Sequence, residues 1–145
     1  RRCLENEVIR LLCQRIPDSG YDRLEAHVRS EENVKGKDGP VSIRLAGEFH
    51  ILLAELTGNE VLARYVSEIV LRCSLIMSLY ARNHSSDCAV DEHSQIIAAI
   101  RAGDAERAID IMDHHLGAVA GRAELSPRPD SIQSILSHYG KELAH

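Results

Sequence analysis

The stretch "LAGEFHILLAELTGN", Leu45 to Asn59, decides how the chain is read. Its apolar residues recur at steps of three and four, the period of a helix. The helix must stop at Thr57-Gly58-Asn59, where Gly58 can take the left-handed conformation of a C-terminal cap. In the middle of this greasy run sits His50, between Phe49 and Ile51, in a chain with one Phe and no Trp. Helical spacing puts His50 on one face with Ile43, Ala46, Leu53 and Thr57, an inward stripe. A buried imidazole needs a partner for each ring nitrogen, so what faces His50 becomes the leading question.

Outward from this helix, the same period recurs on both sides. Arg1 to Ile16 reads as a helix with Leu4, Val8, Leu11, Leu12 and Ile16 on its steps, ended by Pro17. "PDSG" supplies turn chemistry with candidate caps at Asp18 and Ser19, and a second helix runs from about Tyr21 to Val34. "KGKDGP" breaks the chain before the third helix, about Val41 to Leu56. The fourth, about Glu60 to Ala81 with Asn59 as its cap, is apolar all round, which predicts a central helix or one at a subunit interface. "RNHSSDCAV" is read as a loop. Helices near Asp91 to Ala102 and Ala105 to Ala123 follow, with Gly103 ending one and Asp104 capping the next. After "SPRP" comes a short amphipathic piece, Ser131 to Tyr139. No strand-period alternation and no internal repeat are found. The expectation is an all-α antiparallel bundle of six or seven helices.

Composition fits that expectation. A chain of 145 residues is long enough for one domain with a real core. Aromatics make up 3%, so Leu, Ile, Val and Ala must fill the interior, which favours helix-on-helix packing. The formal charge of −5 argues against nucleic-acid binding by this segment, because phosphate contacts need a basic face. No run of 18 apolar residues and no signal-peptide pattern are seen. Cys3, Cys13, Cys73 and Cys88 form no CxxC pair and are read as reduced thiols of a cytoplasmic protein. The start, "RRCLENEV", lacks a Met and is already helical in pattern, which suggests a segment of something longer.

Helical faces then sort the eight histidines. His93 shares a face with Ile96, Ile97 and Ile100, and His115 with Ala108, Met112 and Val119. His114 lines up with Arg107, Asp110 and Ala118 and is expected to face out, since helical neighbours differ by about 100°. Three inward histidines on three helices leave two readings. Each is a core histidine bonded to its own carbonyl or water, or one divalent ion takes a nitrogen from all three and leaves positions open for water or a ligand's carboxylate.

The pieces "RRCLENEVIRLLCQRI", "LAGEFHILLAELTGNEVLARY" and "DEHSQIIAAIRAGDAERAIDIMDHHL" resemble the C-terminal effector-binding (FCD) domain of GntR-type, FadR-like bacterial transcription regulators. The similarity covers essentially residues 1–125, with residues 126–145 as a short helix and tail. It implies an all-helical bundle that binds a small organic acid in its core. It also implies a divalent metal, zinc or nickel, held by the FH, EH and HL histidines, which here are His50, His93 and His115. Many members carry an Asp four residues before the first of these. Here that position is Ala46, which cannot ligate, and Glu48 is expected to point elsewhere. Cys88, five residues before His93, is a candidate substitute ligand. The family's winged helix-turn-helix has no counterpart here, so DNA binding is expected to belong to an absent N-terminal domain.

Acidic effectors need cationic partners, and a bidentate Arg fits a carboxylate. Arg1 occupies the place of the arginine in the family's R-x-x-L-E opening. Arg72 lies inside the apolar "IVLRCSLI", either as a second effector contact or in an interhelical or intersubunit ion pair. The acidic runs "LENE" and "RSEEN" are read as solvated faces. The leading function is the effector-sensing half of a homodimeric regulator, without catalysis. A metal hydrolase is the first alternative, although Glu92 and Asp113, its nearest candidate bases, are not on the inward faces. A metal-free helical interaction module is the second.

Overall fold

The computed structural model describes residues 1–36, 39–80 and 87–122, except for the side chains of Tyr80, Asp87, Cys88 and Arg122. Six helices and no strand are present among these residues: α1 (Arg2–Gln14), α2 (Asp18–Val34), α3 (Gly39–Leu56), α4 (Glu60–Tyr80), α5 (Asp87–Arg101) and α6 (Ala105–Arg122). The all-α bundle expected from the periodicity is what the chain forms. The expected piece Ser131 to Tyr139 and the side chain of Cys88 lie outside the described residues.

Local chemistry fixes most of the boundaries. Arg15 is extended (φ −160°, ψ 113°), so α1 stops two residues before the expected Ile16. The clash of Pro17 with its preceding residue explains why helical geometry cannot run up to the proline. Gly58 and Gly103 adopt φ of +71° and +70°, the left-handed stop that glycine makes without strain. Asn59 Oδ1 accepts the Leu62 amide at 3.0 Å and Asp104 Oδ1 accepts the Arg107 amide at 3.0 Å, so both expected caps are formed. α5 starts at Asp87, four residues before the expected Asp91, and takes in the second half of the stretch read as a loop.

The core is aliphatic, as the scarcity of aromatics requires. Val8, Ile9 and Leu12 of α1 meet Leu24 of α2, Leu53 of α3, Ile96 and Ile100 of α5, and Met112 of α6. α3 packs closely on α4 at Gly47, where a Cβ would stand 2.6 Å from Ser74 Oγ and 3.3 Å from Val70. α4 itself is not central. It buries Leu62, Val66 and Val70 and leaves Val61, Tyr65, Leu71, Leu75, Ile76 and Leu79 exposed.

Candidate metal centre

α3, α5 and α6 each send one histidine into the middle of the bundle. His50, His93 and His115 are all 2% or less exposed, and one ligand nitrogen from each falls within a single small cluster. The Nε2 atom of His115 lies 3.2 Å from that of His50 and 3.4 Å from that of His93. Histidine 114, as its face predicts, is exposed.

What orients these rings is a set of carboxylates on their far sides. His93 Nδ1 is 2.8 Å from Glu31 Oε2, and His115 Nδ1 is 2.7 Å from Glu92 Oε2. His50 Nδ1 is 2.6 Å from Glu5 Oε2, a contact less well aligned for the ring N–H than the other two. Each carboxylate is held in turn. Arg1 Nε donates to Glu5 Oε1, His27 Nε2 lies 3.2 Å from Glu31 Oε1, and His114 Nδ1 lies 3.0 Å from Glu92 Oε1. His27 Nε2 is also 2.8 Å from the Leu45 carbonyl. Phe49, the residue before His50, stacks on the His93 ring with centroids 3.9 Å apart and planes 12° apart. The FH pair therefore serves two histidines at once: His50 enters the cluster and Phe49 fixes the plane of His93.

This arrangement sets the tautomers. A carboxylate has only acceptors, so each Nδ1 facing one must carry the ring hydrogen. A neutral ring held this way presents its Nε2 lone pair, and the three Nε2 atoms point into one small cluster. Two of the spacings match a metal site: nitrogens at about 2.0–2.1 Å from a tetrahedral zinc would lie about 3.3 Å from one another, as the His50–His115 and His93–His115 pairs do. The carboxylate–histidine pairing is the outer shell that metal-binding histidines use to fix ring orientation and raise basicity. The donor set fits a divalent ion of the zinc or nickel kind.

Electrostatics agree with ionised carboxylates. Burial pushes the Glu5 carboxyl up, but His50 and then Arg1 outweigh it and hold it down at about 2. Burial also pushes Glu31 up, and hydrogen bonds from His27 and His93 bring it below the usual carboxylate range. Burial holds His50 below the ordinary histidine value against the pull of Glu5. His27 is raised, chiefly by its bond to Glu31.

Two sequence expectations need correction here. "LENE" and "RSEEN" are not simply solvated faces: Glu5 and Glu31 are buried, while their neighbours Glu7 and Glu32 face solvent. The signal was available, since Glu5 steps onto Val8, Ile9 and Leu12, and Glu31 steps back onto Val28 and Leu24. Glu92 also reaches the cluster, though from the outer side of His115. Ala46 offers no ligand atom, and Glu48 is engaged with Arg44 Nη1 at 2.6 Å.

The two expected arginines part company. Arg1 is largely buried beside Glu5 and also lines a cavity of about 490 Å³ between the start of α1 and the C-terminal halves of α4 and α6, together with Cys73, Met77, Leu116 and Val119. Arg72 stands on the outer face of α4, its side chain 76% exposed and 3.9 Å from Glu68. That exposure keeps it out of the buried cluster.

Comparison with known proteins places this geometry. A solved chain described as Streptococcus agalactiae GntR matches with a TM-score of 0.69 and 31% identity, covering 82% of this chain and 54% of that one. This chain thus spans about half the length of that structure. No curated protein matches. Among the described residues, no helix is long and apolar enough to cross a membrane. The family model for the FCD domain matches residues 1–118, which takes in every histidine and carboxylate of the cluster, and the chain belongs to the FCD domain family.

Proposed function

We propose that this is the effector-sensing domain of a homodimeric GntR-type transcription regulator, that it binds a small organic acid through a divalent ion held by His50, His93 and His115, and that it controls DNA binding by a domain outside this chain. The observation that carries the reading is the convergence of three buried Nε2 atoms, with a carboxylate against the opposite nitrogen of each ring, hydrogen-bonded in His93 and His115 and at 2.6 Å in His50. Without a cation between them, those atoms face one another in a low-dielectric interior. Held by His50, His93 and His115, a divalent ion would supply a Lewis acid to which an effector carboxylate could bind.

The rest of the site follows from this chain's own residues. Glu5, Glu31 and Glu92 hold the ring tautomers and bring negative charge close to the ion. Arg1 sits at the junction of the Glu5–His50 pair and the neighbouring cavity, where its guanidinium can also meet an acid's second oxygen. An acid bound there shifts the balance between helix arrangements, and that shift is the regulatory output.

A hydrolase is the weaker reading. Both oxygens of Glu92 are already engaged, one by His115 and one by His114, so the carboxylate nearest in sequence to the EH histidine is not free to serve as a base. The test is metal content after exposure to zinc or nickel and desalting, for the parent and for His93→Ala. About one equivalent in the parent and none in the variant is the expected result. Equal content in both would sink the site. Calorimetric titration with short mono- and dicarboxylic acids, before and after chelation, then reads effector binding that disappears with the ion.

A further inference from the structure

α4 carries on its outer face a stripe that lies open among the described residues. Val61, Tyr65, Glu68, Arg72, Leu75 and Leu79 follow one another at steps of four, three, four, three and four residues. Such steps keep side chains on one line along a helix, here about 27 Å long at 1.5 Å per residue. The four apolar members expose 48 to 65% of their surface. A line of large apolar side chains that open marks an interaction surface more often than a solvated face.

The order of residues in the stripe selects the partner. Read from either end it gives two apolar residues, one charge, the opposite charge, and two apolar residues. We infer that α4 pairs antiparallel with α4 of a second copy about a two-fold axis level with residue 70. Val61 then meets the partner's Leu79, Tyr65 meets the partner's Leu75, and Glu68 meets the partner's Arg72, each contact occurring twice by symmetry. Sliding the pair by one heptad in either direction sets Arg72 against Val61 or against Leu75 of the other copy, and leaves two apolar residues of each stripe unpaired. Only the centred register matches charge with charge and apolar with apolar. Leu71, 60% exposed, flanks the axis and meets its own copy.

The same register explains Arg72. Among the described residues its ion pair is an exposed contact with Glu68 at 3.9 Å, a pair worth little to a single helix. Across the axis the two Glu68 and two Arg72 form a closed ring of four alternating charges. An isologous interface of this kind is closed, so it yields dimers and not chains of copies. The inference rests on the dimeric reading above and adds its helix, its direction and its register.

Complementary charge reversal tests it. Glu68→Arg and Arg72→Glu each place like charges in both reciprocal pairs, so each variant alone is expected to have a dimer dissociation constant raised about tenfold or more. Mixed in equal amounts, the two variants restore both opposite-charge pairs, and sedimentation equilibrium is expected to show heterodimers near the parent affinity. An effect confined to one helix would not be repaired by mixing. Because all these positions are exposed, the helical circular dichroism signal should be retained, and Leu75→Asp should give monomers with that same signal. A parent that is dimeric while both charge variants and Leu75→Asp dimerise equally well overturns the α4 register and leaves the dimeric reading standing. A mixture that fails to associate when each variant alone is monomeric also overturns the register. A parent that stays monomeric overturns both.

Discussion

The middle of the bundle and the outer face of α4 invert the usual distribution of residue types. Around the three histidines, charged groups are buried, and each is matched: Glu5 by Arg1 and His50, Glu31 by His27 and His93, Glu92 by His114 and His115. On α4, apolar side chains lie open among the described residues. Burying charge costs least where opposite charge stands beside it, and a large exposed apolar stripe marks a surface of interaction. The difference teaches where each region gets its stability. The first finds its charge partners within one chain, and on the reading proposed above the second would find its cover in a second copy.

Substitutions can break this contrast. The largest effect is expected at Phe49, which is fully buried and stacked on His93. Phe49→Ala should lower unfolding free energy by about 3–5 kcal/mol in denaturant titration, and should loosen the ion as well. A loss under about 1 kcal/mol would mean that the stack carries no packing load. Glu31→Gln keeps the shape but removes the charge behind His93. Its ion affinity should fall about 10–100-fold in a competition assay with a chromogenic chelator, and an unchanged affinity would deny the carboxylate its orienting role. Gly47→Ala drives a methyl into Ser74 and Val70 at the α3–α4 contact and should cost about 1–3 kcal/mol. Pairing it with Ser74→Ala, which removes the Oγ at 2.6 Å, should recover most of that loss if the clash is its cause. Asn59→Ala removes the cap of α4 and should cost about 1 kcal/mol in the same titration. Smallest of all, Leu79→Ser should change the stability of the dilute, dissociated chain by no more than about 0.5 kcal/mol. A large loss there would show that the stripe is packed within its own chain.

Much of this was legible in the sequence, and the gaps have physical reasons. Helix existence followed from period, and the stops at Gly58 and Gly103 and the caps at Asn59 and Asp104 followed from side-chain chemistry. The inward directions of His50, His93 and His115 came from spacing alone, because direction is a property of one helix. Partnership is a property of two. Glu5 shares its face with Val8 and Ile9, yet nothing along the chain says that α1 runs beside α3, so its contact with His50 could not be read. Glu92 is about 100° away from His93 on α5 and points toward α6, where it finds His115 instead. Arg72 misled for a related reason: "IVLRCSLI" looks buried on every side, but only the side bearing Val66 and Val70 faces the core.

The clamp around the histidines draws on positions 5, 31, 50, 92, 93 and 115, spread over five of the six helices. Such a site has no local precursor in an unfolded chain, so an ion bound there recognises the folded bundle alone. By mass action it would add about 4.1 kcal/mol to folding at a free concentration a thousandfold above its dissociation constant. The melting temperature of this domain would then be a function of the free-metal activity of its buffer, and a chelator would act on it as a denaturant does.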